Sequence, residues 1–128
     1  MLRFAPPPHA ILGFGDTTSS AEARHALRGL LGTEATDAAV ERAELAISEV
    51  VQNAIDLDAP FAVSMWHAGA QRCVRVEVED SAPGEAAIKA SDSWGSGGFG
   101  LRIVEAISDR WGINHHPGSK SVWFEIDY

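Results

Sequence analysis

The sequence predicts an α+β fold, a two-layer sandwich in which helices cover one face of a mixed, mostly antiparallel sheet. Three observations carry the prediction. Two helical patterns come first, two pairs of alternating strands come later, and one glycine-led helix lies between the pairs. At 128 residues, 45% hydrophobic and 22% charged, the chain is sized for one domain spanning residues 1–128 with a real core.

The first segment, "HAILGFG", follows a Pro-rich lead-in and reads as a short edge strand, because proline is tolerated at an edge and not in a central strand. "DTTSSAEARHALRGLLG" supplies capping residues, a helical pattern and a closing Gly32. In "TDAAVERAELAISEVVQNAIDLDAP", Val40, Ala43, Ile47, Val50, Ala54 and Leu57 recur at spacings of three and four, which predicts a long helix stopped before Pro60. "FAVSMWHAG" and "RCVRVEVED" then form a hairpin, and "WGINHH" and "KSVWFEIDY" form another about Pro117 and Gly118. Between them, Leu101, Val104, Ile107, Ser108 and Trp111 recur at helical spacing after a glycine cluster. No repeat or low-complexity tail interrupts this order.

Net charge is −8, which argues against direct nucleic-acid or anionic-membrane binding and suits a protein partner with a basic face. The single cysteine, Cys73, excludes an internal disulfide framework. No apolar run approaches the roughly 20 residues of a membrane span, and the N-terminus does not read as a signal peptide, so the expected setting is the cytoplasm.

The stretch "GSGGFGLRIVEAISDRWG" sets glycines against a helix start. Glycine loses more entropy on folding than any other residue, so such a cluster belongs where backbone approaches something closely. Unpaired N–H groups and the positive end of the helix dipole make that terminus an anion site; a flexible loop preceding a helix is the plainer reading. No lysine follows in Walker spacing. Gly95, Gly97 and Gly100 match a dinucleotide fingerprint only literally, since no strand directly precedes them.

Glu49 and Asn53 stand four residues apart on one helix face, continued by Asp56; they are either a solvated stripe or a site. In "RCVRVEVED" the parity of Val74, Val76 and Val78 puts Asp80 at the end of the buried row, where it caps the turn "DSAPG" or accepts a ligand. His115 and His116, adjacent on a strand, point to opposite faces and do not chelate together. Arg24, His25 and Arg28 gather basic character on the first helix, which is either a solvated face or a docking face.

Taken in order, "ELAISEVVQNAI", "VRVEVEDSAPG", "GGFGLRIVEAISDRWG" and "KSVWFEI" resemble the Bergerat-type ATP-binding domain of histidine kinases, gyrase and MutL, and most of all the small actinobacterial anti-sigma-factor serine kinases. The resemblance implies Glu49 as general base, Asn53 as the ligand of Mg²⁺, and Asp80 as acceptor of the adenine amine. It implies Ala82 and Gly84 in the first glycine box, Gly98, Gly100 and the Leu101 amide on the phosphates, and residues 81–97 as a lid. It also implies Ser121 as a hydroxyl supporting Asp80, although strict alternation with Val122, Phe124 and Ile126 puts Ser121 on the other face. Arg24 and Arg28 would dock a sigma factor or its antagonist.

The implied activity is ATP- and Mg²⁺-dependent phosphorylation of a serine on an anti-sigma-factor antagonist by a protein that also holds a sigma factor, with a homodimer compatible. Two departures favour an alternative, a partner-binding module with ATP bound passively or not at all. "NAIDLDAP" lacks the basic residue common after the Asn, and Ala82 replaces the usual glycine.

Overall fold

The computed structural model describes residues 10–12, 19–57, 60–81 and 99–128. Its elements are β1 (Ala10–Leu12), α1 (Ser20–Leu31), α2 (Asp37–Asp56), β2 (Phe61–Ala68), β3 (Cys73–Asp80), α3 (Phe99–Ile107), β4 (Arg110–His116) and β5 (Ser119–Asp127). The strands form one sheet in the order β1-β2-β3-β5-β4. This is the α+β two-layer arrangement expected from the sequence.

Every described pairing is antiparallel, in keeping with the mostly antiparallel sheet expected. The connection through α3 does run β4 in the direction of β3, but β5 inserts between them, so the two parallel strands are not neighbours.

Local chemistry sets the helix ends. Ser19 caps α1 by accepting from the Glu22 amide at 3.1 Å, and Thr36 caps α2 by accepting from the Ala39 amide at the same distance. Gly32 ends α1 at φ +56°, a conformation that glycine adopts without steric cost. The periodic pattern through Trp111 is broken by the structure: α3 stops at Ile107, where Arg42 donates to the Ile107 carbonyl. The Asp109 amide then donates to the Glu125 carbonyl, and Trp111 is carried onto the sheet opposite Phe124. Of the five helically spaced positions, Leu101, Val104 and Ile107 lie in α3, whereas Trp111 lies on β4 and packs half-buried against the core.

The core lies between the helices and the inner sheet face. Leu27 and Leu31 of α1, Ala43, Ile47, Val50 and Val51 of α2, and Val104 of α3 pack over Val63, Met65, Val76, Phe124 and Ile126. The buried stripe of α2 is wider than its sequence pattern, since Ala39, Ala46 and Val51 join it. The outer sheet face carries charge instead. Arg75 pairs with Glu125 at 2.9 Å and lies over the Trp123 ring, which packs so closely on Gly112 that a Cβ there would come within 2.7 Å of it. Arg110 joins Glu125 and Asp127 on the same face.

Two outcomes follow from this packing. Ile47→Ala, which removes a fully buried side chain, is expected to cost about 2–5 kcal/mol in urea unfolding with an unchanged m-value. Burial pushes the Cys73 thiol from 9.0 up to about 11, with hydrogen bonding to Asp127 adding to it. Both states hold the proton below pH 9, so thiol burial favours the fold there. Between pH 9 and 11 only the unfolded chain ionises, and that contribution is lost. Alkylation of Cys73 at pH 8 should therefore be about 100-fold slower in the native protein than in urea.

Candidate functional site

The helix α2 carries the first two candidates. Glu49 is half-buried and Asn53 is 8% exposed, one turn apart along the seam between the buried stripe and an exposed one that holds Leu45, Gln52 and Ile55. Asn53 keeps 8% of its surface open, so it stands at the border of the core on the side of α2 that Glu49 shares. Asp56, which continues the face in sequence, is exposed and accepts from Gln52 Nε2 at 2.9 Å. It is held along the outside of the helix.

Asp80 ends β3 on the inner face, as parity required, and is 2% exposed. It does not simply cap a turn. Directly opposite on β5 stands Lys120, fully buried, with its Nζ 3.3 Å from Asp80 Oδ2. Lys120 was not among the residues singled out from the sequence. A period-two reading of "KSVWFEI" from Val122 backwards puts position 120 on the apolar face and would have found it, but a lysine at the start of a strand looks like a solvated end.

The same register corrects Ser121. It faces Glu79, not Asp80, and its hydroxyl donates to Glu79 Oε2 at 3.5 Å. Ser121 is buried on the outer face, so it does not support Asp80 from the inner one. The residue on Asp80's face is the one before it.

Gly100 and Leu101 lie in the first turn of α3, so the glycine cluster does lead into a helix N-terminus, whose first amides lack intrahelical partners. Ala82, Gly84 and Gly98 lie outside the described residues, as does the expected lid beyond Ser81; Ser81 itself donates its amide to the Pro60 carbonyl at 2.9 Å. His115 and His116 take opposite faces of β4, as alternation required.

The basic residues of α1 are engaged with α2. Arg24 donates to Ser48 Oγ at 2.8 Å, and Arg28 reaches both Glu44 oxygens at 2.7 and 2.8 Å. Glu44 holds the Arg28 guanidinium pKa above its ordinary value. These contacts tie the two helices, while 66% of the Arg28 side chain stays exposed.

Removing one member of a buried ion pair leaves the other uncompensated. Lys120→Met is therefore expected to lose about 3–5 kcal/mol of stability in urea, and the double change Asp80→Asn with Lys120→Met to recover a large part of it. Equal losses in the single and double variants would show that the pair is not coupled.

No described helix is long and apolar enough to cross a membrane. Comparison with curated proteins gave no significant match. A match to the histidine kinase-like ATPase domain extends over residues 15–126, from ahead of α1 to the end of β5, and the chain belongs to that family.

Proposed function

We propose that the protein is an ATP- and Mg²⁺-dependent protein serine kinase of the anti-sigma-factor type, which binds a sigma factor and phosphorylates a serine of the antagonist that releases it. Family membership implies nucleotide binding. The observation that carries the reading to this chain is the α2 seam, where the half-buried Glu49 and the nearly buried Asn53 sit one turn apart at the edge of the core.

These residues fit a metal-bound nucleotide. The Asn53 carbonyl oxygen is a hard ligand suited to Mg²⁺, which would supply charge neutralisation on the phosphates. Asp80 offers a buried carboxylate to the base, and the first-turn amides of α3, including those of Gly100 and Leu101, offer donors to phosphate oxygens. Glu49 keeps access to solvent and so to a protein substrate. In the transfer, Glu49 takes the proton of the serine hydroxyl while that oxygen forms a bond to the γ-phosphorus; the bond from the γ-phosphorus to the bridging oxygen breaks, and ADP leaves. The Arg24, His25 and Arg28 face of α1 is the proposed dock for an acidic patch on a protein partner.

Calorimetric titration of Mg-ATP into nucleotide-free protein tests the pocket. Asn53→Ala should weaken binding about tenfold or more. Glu49→Ala should keep the affinity yet slow serine phosphorylation of an antagonist by about 10²–10⁴. Absence of binding up to about 1 mM ATP, a free energy weaker than about −4 kcal/mol, would sink the kinase reading and leave a partner-binding scaffold.

A further inference from the structure

The ends of α2 and of the sheet can be matched residue by residue. Phe61, which opens β2 soon after α2, pairs with Asp80 at one end of the sheet, and Cys73 pairs with Asp127 at the other. Arg42, in the second turn of α2, donates from Nη2 to the Asp127 carbonyl at 3.0 Å, so α2 runs from the Asp127 end toward the Asp80 end. The chain leaves β3 at Asp80 and enters β4 at Arg110, opposite Glu125 and near the Asp127 end. Helix α3 lies on that return path and packs on α2. The two helices therefore run in opposite senses, with the last residue of α3 beside Arg42 and its first turn directed toward Asn53.

Arg42 is the group that meets the end of α3. Its Nη1 donates to the Ile107 carbonyl at 3.1 Å. The last carbonyls of a helix have no intrahelical partner and form the negative end of its dipole. No basic residue occupies the last turn of α3 itself, so the cation at that end comes from α2. Both acceptors are main-chain carbonyls, one on α3 and one on β5, and the planar guanidinium serves them in a fork that an ammonium does not reproduce. Asp109 braces the arrangement, since its Oδ2 lies 3.6 Å from Arg42 Nη1 and accepts from the Asp127 amide at 2.7 Å.

Arg42, Glu49 and Asn53 stand at i, i+7 and i+11, within about 40° of one another around α2. Glu49 is about 10 Å along the axis from Arg42, and Gly100 is about 10 Å back along α3 from Ile107. Helices laid in opposite senses from Arg42 thus bring the first amides of α3 level with Glu49 and one turn short of Asn53. We propose that Arg42 is a positioning residue of the nucleotide site: by holding Ile107, it fixes the level along α2 at which the first amides of α3 face Glu49 and Asn53. The proposal rests on the reading of those amides as phosphate donors, and it assigns their placement to a residue at the far end of α3. Amide donors act over about 2.7–3.2 Å, so a slide of α3 by about 1 Å is enough to weaken them.

The test is calorimetric titration of Mg-ATP into the wild-type protein and Arg42→Met, with adenosine measured by competition against it. Adenosine carries the base and no phosphate, so it reports the Asp80 end of the site alone. Arg42→Met, checked for a cooperative thermal transition, should bind Mg-ATP about tenfold or more weakly and adenosine within about twofold of wild type. A lysine reaches one carbonyl at a time, so Arg42→Lys should show the same selective loss at about threefold, and it decides alone should Arg42→Met not fold. An unchanged ratio of Mg-ATP to adenosine affinity would mark Arg42 as merely structural and overturn the proposal while leaving nucleotide binding intact. Failure of the wild-type protein to bind Mg-ATP at all would overturn the nucleotide reading and this role with it.

Discussion

A single constraint organises the molecule: α2 must bury most of its circumference while one stripe, with Leu45, Gln52 and Ile55, faces solvent. Its twenty residues span about 30 Å and pack against α1, α3, β3 and β5. Only a narrow seam is left for polar side chains that are neither solvated nor excluded, and Glu49 and Asn53 occupy it. Their separation is fixed by helix geometry at roughly 5–6 Å between Cβ atoms. Arg42 anchors the helix by donating to the carbonyls of Ile107 and Asp127, and Arg24 and Arg28 of α1 close on it from the other side. The seam therefore cannot shift without disturbing the elements packed on α2.

The sheet answers that helix with two unlike faces. The inner face is apolar until its last rung, and the outer face is a lattice of Arg75, Glu77, Glu125, Arg110 and Asp127 spread around Trp123. Placing β5 between β3 and β4 is what makes both arrangements. It puts Lys120 opposite Asp80 on the inner side, and it puts Glu125 between two arginines on the outer side. A strand order that left β3 beside β4 would have separated each of these pairs.

Much of this was legible in the sequence where one period dominated. Both long helices, the capping run ahead of the first, both hairpins and the burial of Asp80 follow from alternation, helical spacing and turn chemistry. The misses share a physical cause, namely that long-range pairing decides which of two local patterns is used. Trp111 satisfied a helical spacing, but pairing with Phe124 drew it into a strand. Ser121 matches the family position by its hydroxyl, but its parity belongs to the outer face, and Lys120 has the look of a solvated strand end because a fully buried lysine is rare. Nothing local in "GSKSVWF" shows that position 120 will meet a carboxylate from forty residues upstream.

The acidity of the chain bears on the proposed ligand in a way that distance decides. A net charge of −8 opposes a polyanionic nucleotide during approach, but at physiological ionic strength that repulsion fades over a Debye length of about 8 Å. Asp56, the carboxylate nearest the seam in sequence, is exposed and tied to Gln52, so it acts through solvent, where a pair of charges at 4 Å is worth only about 1 kcal/mol. Lys120 acts from the opposite condition. Fully buried, its field is poorly screened, and it balances the carboxylate that the base would meet. Affinity for such a ligand would be governed by a few desolvated groups at close range, while the surface charge acts only through solvent.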